Sequence, residues 1–178
     1  MVFGEYFKNK IDNAPKNGIS SQSITQQSVV YYQPNKQESL RKKSIPPFAH
    51  LDKGFYVVPT QGVEAIKIAS HIPGVKAEGN FENESVKQKF LTETRKFLQV
   101  YLPEMKDAKV IDSKVRYYDM TPDSNFILDH LNENIVVGAG FSGHAFKFAP
   151  LVGEILSDLI LNKISQQDIS RFQLKRFS

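Results

Sequence analysis

Cysteine is absent from all 178 residues, which excludes disulfides and thiolate metal sites. Long apolar runs are missing too. None approaches the roughly 20 residues needed to cross a bilayer, and the first residues lack the charged, apolar and small-residue blocks of a secretory leader. The expected setting is the cytoplasm, with no membrane partner. His50, His71, His130 and His144 share no metal-ligand spacing, so no metal is expected. The net charge of +4 is densest around Arg41, Lys42 and Lys43, but no broad basic face or reader motif accompanies it, which argues against nucleic acid. What is present is 40% hydrophobic residues, enough for the core of one domain or two small ones.

A glycine-rich stretch organises the chain. Ile135, Val136 and Val137 read as a short buried strand, and Gly138, Gly140 and Gly143 follow. Pro150 stands where a helix's first turn tolerates a missing N–H, and residues 151–161 are apolar at helical spacing. Strand, glycine loop and helix bring backbone N–H groups and a helix's positive end close to an anionic group. The glycines also spell G-x-G-x-x-G, but the dinucleotide fingerprint needs a second parallel strand and an acid about twenty residues on. Only a short polar segment and a charged tail follow residue 161, which excludes that reading. Two roles stay open on spacing alone: a cofactor cradle, or close packing of a helix on a sheet.

Upstream, residues 1–25 are poorly patterned, 27–32 form a strand candidate, and 34–47 are a polar, basic connection. Residues 55–58 and 64–70 read as a hairpin about Pro59, Thr60, Gln61 and Gly62. In its second strand, period two puts Ile66 and Ile68 on a core face and Ala65, Lys67 and Ala69 on the other, with His71 continuing that face if the strand does. The two alanines leave room for a flat object beside an ammonium; the alternative is a merely solvated face. Residues 85–101 read as a scaffold helix with a Ser85–Gln88 capping box, one apolar face including Phe90, Phe97 and Leu98, and Pro103 as its stop. Residues 110–118 form another strand, with Arg116 facing away from Val115 and Tyr117; a salt bridge or an anion contact are both open to it. A last hairpin joins 126–128 to 135–137 around residues 130–133.

Six segments, in order and spacing, carry a resemblance: Thr121-Pro122-Asp123, Phe126-Ile127-Leu128-Asp129, Gly138-Ala139-Gly140-Phe141-Ser142-Gly143-His144, Phe146-Lys147-Phe148, Gly153-Glu154-Ile155-Leu156 and Asp168-Ile169-Ser170. Together they resemble the C-terminal portion of flavin-dependent amine oxidases of the monomeric sarcosine oxidase and N-methyltryptophan oxidase type. The resemblance is dense over residues 117–172 and thinner upstream.

It implies an α+β fold: an antiparallel-rich substrate-domain sheet with a flanking helix, then a strand, glycine loop and helix that would complete an FAD-binding domain. On that alignment residues 1–24 start inside a truncated cofactor domain, with Gly4-Glu5-Tyr6 at the family's Gly-Ala-Trp. Residues 25–115 are the substrate-domain portion and 116–178 the C-terminal part of the cofactor domain. The family's first half, with its own G-x-G-x-x-G, has no counterpart here.

The resemblance also implies roles. Lys67, His71 and Tyr56 fall at catalytic positions, Lys67 as a fixed cation that favours charge developing on oxygen. Gly140, Ser142, Gly143, His144, Phe146, Lys147 and Arg116 fall at FAD-binding positions. Lys147, Tyr56 and His71 would meet the substrate. Arg116 stands where the family carries a cysteine joined to the flavin, so FAD is expected to be non-covalent; Asp119 stands at a usual threonine. The implied reaction oxidises the C–N bond of a secondary or N-methylated amino acid with O2, giving imine and H2O2, and a complementary N-terminal chain is a conceivable partner. The rival readings are a non-catalytic truncated or split-gene remnant acting as an interaction module, and an unrelated α+β binding protein sharing the glycine loop.

Overall fold

The computed structural model describes residues 23–35, 45–60, 64–77 and 85–177. The Gly4-Glu5-Tyr6 correspondence, the basic cluster at Arg41 to Lys43 and the turn residues Gln61 and Gly62 lie outside these. Seven strands and two α-helices appear among the described residues: β1 (Ser23–Gln33), β2 (Phe48–His50), β3 (Phe55–Pro59), β4 (Ile66–Ser70), α1 (Gln88–Tyr101), β5 (Lys109–Met120), β6 (Ile127–Asn132), β7 (Ile135–Ala139) and α2 (Ala149–Asn162), with short 3₁₀ turns between. Helices and antiparallel sheet are mixed, an α+β architecture. No helix among the described residues is long and apolar enough to cross a membrane. By internal contact the chain divides into two compact units, Gln26–Arg116 and a second comprising Met1–Thr25 with Tyr117–Ser178.

The Gln26–Arg116 unit is built on a five-stranded sheet of order β2-β3-β4-β1-β5. β3 and β4 pair antiparallel, Tyr56 opposite Ala69 and Val58 opposite Lys67, as the hairpin pattern predicts. β4 also pairs antiparallel with β1, Tyr31 opposite Lys67 and Val29 opposite Ala69. Because side chains alternate along a strand, Val30, Tyr32, Val57, Ile66 and Ile68 fall on one face, where α1 covers them with Phe97 and Leu98. Phe55 meets Phe90 and Phe97 at ring centroid separations of 5.9 and 5.2 Å, edge-on or tilted, the arrangements that ring quadrupoles favour.

Two local expectations need correction here. α1 begins at Gln88 with Lys87 as its N-cap and no side-chain cap bond, so Ser85 and Gln88 form no capping box. The helix is held by burial of Thr94, Phe97 and Leu98 instead, which outweighs a missing cap worth about 1 kcal/mol. β4 ends at Ser70, so His71 does not continue its face. The Ser70 hydroxyl accepts from the Ile72 N–H at 3.1 Å and donates to the Ile72 carbonyl at 3.0 Å, folding the chain into a turn, while the His71 N–H reaches the Gly54 carbonyl at 2.6 Å.

In the second unit β6 and β7 form a two-stranded antiparallel sheet. Its turn lies at Glu133 and Asn134, later than the sequence suggested, because His130 to Asn132 stay in the strand across an irregularity in register. α2 packs Val152, Ile155 and Leu159 against Phe126, Leu128 and Ile169. Pro150 sits in its first turn and left-handed Lys163 ends it. The tail returns to this core: Arg176 grips Asp123 with Nε to Oδ2 at 2.8 Å and Nη2 to Oδ1 at 3.3 Å, which holds the Asp123 carboxyl well below the usual range.

One polar pair ties sheet to helix in the first unit. The Tyr32 hydroxyl lies 2.8 Å from Thr94 Oγ1, both side chains are fully buried, and Thr94 spends its own proton on the Phe90 carbonyl at 3.0 Å, which makes Tyr32 the donor. The Arg95 guanidinium lies over the same ring, 4.8 Å from its centroid. Tyr32→Phe removes the donor without altering the packed ring and leaves a buried acceptor unsatisfied. Urea unfolding should show a loss of about 1 to 2 kcal/mol with an unchanged slope; no loss would mean that Thr94 finds another donor.

Candidate functional site

The predicted site residues form two sets, one in each unit. In the first, Tyr56 on β3 and Lys67 on β4 are half-buried neighbours, with the Lys67 ammonium 5.3 Å from the Tyr56 ring centroid. The ladder explains the meeting: Tyr56 is paired with Ala69, two residue pairs along from Val58 and Lys67, so both side chains rise on the same face. Ala69 is 0% exposed and Ala65 2%, contrary to the room expected above them. At Ala69 a methyl group set beside Val29 and Tyr56 across the ladder is screened by its larger neighbours, and the accessible part of this face includes Lys67, Tyr56, Val58 and Tyr31.

His71 and Arg116 stand apart from that pair. His71 is exposed beyond the end of β4. Arg116 is exposed on β5, its Nη1 donating to the neighbouring Val115 carbonyl at 3.2 Å, and its charge adds a minor share to the lowering of the Asp112 pKa. Two positions along, Lys114 pairs with Asp112 at 2.8 Å and lies over the Tyr31 ring, 5.9 Å from its centroid. The Lys114 hydrogen bond lowers the Asp112 pKa, against some desolvation.

The second set is the glycine loop. Gly140, Ser142 and Gly143 have φ of 62°, 49° and 78°, so three of four consecutive residues are left-handed. Gly140 and Gly143 adopt this without penalty; Ser142 does not. What compensates Ser142 is a set of hydrogen bonds: its N–H donates to the Asp119 carbonyl at 2.9 Å, and its hydroxyl donates to the Gly140 carbonyl at 3.0 Å while accepting from the Thr121 N–H at 3.4 Å. Gly143 turns its backbone outward to an exposed position. A side chain there would run into the Tyr118 ring.

Past Gly143 the structure departs from the simple strand, loop and helix picture. A 3₁₀ turn, Phe146–Phe148, intervenes, and α2 starts only at Ala149. Phe146 is 95% exposed, and the exposed Lys147 sets its ammonium 5.3 Å from the Phe148 ring centroid. His144 faces inward: Nε2 lies 3.0 Å from the Ser124 carbonyl, which makes it the protonated nitrogen, and the ring packs 5.1 Å from Phe126. It also lines an apolar cleft of about 280 Å³ with Phe126, Phe148, Val152 and Phe172.

Tyr118, Asp119 and Thr121, which shape the loop, escaped the sequence reading as site residues. The signal available was an acid at the inner end of a strand, where charge is costly without a partner.

A model of the FAD dependent oxidoreductase family matches residues 12–159. Among curated relatives, the monomeric sarcosine oxidase of an Arthrobacter species is 35% identical over 126 residues, covering 68% of this chain and 32% of that protein. The N-methyl-L-tryptophan oxidase of Salmonella dublin is 54% identical over 63 residues, 34% of this chain and 17% of that protein. Among solved structures, L-proline dehydrogenase from P. horikoshii superposes with a TM-score of 0.73 at 25% identity, covering 88% of this chain and 40% of the other. The chain thus spans well under two thirds of each of these proteins.

Gly143→Ala tests the loop geometry directly. The added methyl meets the Tyr118 ring at a φ that L-residues rarely adopt. Thermal unfolding should register a loss of more than about 1 kcal/mol, larger than for Gly153→Ala, where open space and a helical position favour alanine. Equal behaviour of the two variants would mean that the loop does not need its left-handed turn.

Proposed function

The chain belongs to the FAD-dependent oxidoreductase family, and from that premise we propose that it is the C-terminal part of an oxidase acting on the C–N bond of a secondary or N-methylated amino acid, with O2 as the final acceptor and imine and H2O2 as products. The observation that carries the reading is the Lys67–Tyr56 pair, an ammonium held over a phenol ring on a rigid sheet. It is supported by the separate glycine loop, where an exposed left-handed Gly143 and an exposed Lys147 present backbone and charge.

The residues fit an electron-rich, partly anionic group. The Gly143 backbone is exposed, and the ammonium of Lys147 and the guanidinium of Arg116 are exposed cations. On this reading Gly140, Ser142, Gly143, His144, Phe146, Lys147 and Arg116 hold FAD, and with no cysteine in the chain the attachment is non-covalent. FAD, when bound, accepts two electrons from the substrate and passes them to oxygen. The chain's part is positioning and charge. Lys147 pairs with the substrate carboxylate, Tyr56 and His71 contact the amine end, and Lys67 supplies a fixed positive charge where negative charge develops on oxygen, an arrangement that needs no reorganisation.

The decisive experiment is to purify the chain alone and together with the polypeptide encoded directly upstream of it. The pair should be yellow and release peroxide from N-methyl amino acids. The chain alone should show no saturable quenching of FAD fluorescence below about 10 μM, since a binding energy of about 7 kcal/mol needs contacts to the adenine and pyrophosphate as well. A flavin-loaded pair that releases no peroxide from any secondary amine would favour the non-catalytic reading.

In the same holoprotein, Lys67→Met keeps the length and removes the charge. Stopped-flow reoxidation by oxygen should slow by about one order of magnitude or more, with substrate reduction changed far less. An unaltered oxygen rate would leave Lys67 as a solvated strand residue.

A further inference from the structure

Asp119 is a half-buried carboxylate that the chemistry above does not use. It lies on β5 just before the strand ends at Met120, and Oδ2 accepts the Gly140 N–H at 3.0 Å. Its carbonyl accepts the Ser142 N–H at 2.9 Å, so one residue engages the loop through both side chain and backbone. Oδ1 is enclosed by protein with no donor among the described residues.

We propose that Asp119 is the positioning residue of the glycine loop, fixing Gly140 and Ser142 in their left-handed turn so that the Gly143 backbone faces outward. The bearing of this on a cofactor rests on the functional reading above, but the positioning itself does not. Gly140 at φ 62° is a conformation any flexible chain leaves readily, and the Asp119 bond is the contact that selects it from the side opposite Ser142.

Burial pushes the Asp119 carboxyl above its ordinary value, partly offset by the Gly140 hydrogen bond. The groups around it are Tyr118 and Met120 on its own strand, and Gly140, Phe141, Ser142 and the Thr121 N–H from the loop side, none of which is charged at neutral pH. The sign follows: a carboxyl raised in the folded state contributes stability that is complete below its unfolded pKa and is lost as pH rises through the folded value. The anion binds the Gly140 N–H more strongly than the neutral acid does, while burial penalises it.

The test is NMR on the full chain, with no cofactor needed. In the wild type, the Gly140 amide proton should shift with pH at a midpoint above that of an ordinary aspartate, and Asp119→Asn should abolish the titration. Asp119→Ala should speed exchange of the Gly140 amide by about tenfold or more, as expected when a closed hydrogen bond becomes open, and Asp119→Asn, whose amide oxygen still accepts, should restore slow exchange. If the alanine variant does not fold, the wild-type titration and the asparagine variant decide. A Gly140 amide indifferent to pH, or an asparagine variant exchanging as fast as the alanine one, would overturn the proposal. Neither outcome depends on oxidase activity, so failure here is distinguishable from failure of the functional reading.

Discussion

Left-handed backbone at Gly140, Ser142 and Gly143 is the constraint to which the second unit is fitted. A serine in that conformation costs about 1 to 2 kcal/mol, so it persists only where its surroundings supply more than that. The supply comes from the end of β5, whose Asp119 and Thr121 backbone groups meet Ser142, and from the ring of Tyr118 that occupies the space beside Gly143. α2 then locks the base, with Leu156 lying where a side chain at Gly138 would stand. Removing any of these partners would let the chain relax to ordinary right-handed turns.

The other unit shows a different economy. Its sheet packs one face into the core, and the Tyr32 hydroxyl crosses from β1 to the Thr94 side chain of α1. A buried hydroxyl pair is worth its desolvation only if both members are satisfied, and here Thr94 passes the chain of bonds on to the helix carbonyl of Phe90. Apolar area supplies most of the stability, and the polar pair fixes how helix and sheet register. That rigidity is what keeps Lys67 and Tyr56 at a defined separation on the opposite face.

Strand and helix periodicity made most of this legible in advance. The alternation of Ile66 and Ile68 with Lys67, the amphipathic run ending before Pro103, and Pro150 inside the first turn of α2 all appear where the pattern put them. Misjudged features turned on contacts that a linear pattern does not encode. A capping box requires Ser85 to sit at the helix start, and burial of Phe97 and Leu98 set that start later. His71 left its expected face because the Ser70 hydroxyl closes a turn on Ile72. The burial of Ala69 depended on neighbours drawn from β1 and β3. At the candidate site, the glycines announced the loop, but Asp119 acts on Gly140 across 21 residues, a separation with no periodic signature.

That separation is nonetheless short on the scale of a folding chain. The hydrogen-bonding partners of the loop at the end of β5 are gathered to it by one hairpin, β6 and β7, whose closure brings β5's end against the loop. Loop-closure entropy grows only with the logarithm of length, and hairpins form within about 1 to 10 μs, so this geometry can assemble before any contact with more distant parts of a polypeptide. Insertions at the Glu133–Asn134 turn lengthen the hairpin's far end and leave the loop intact, whereas one residue gained or lost inside β6 or β7 shifts Gly140 out of reach of Asp119 and exchanges the two faces of the sheet at once.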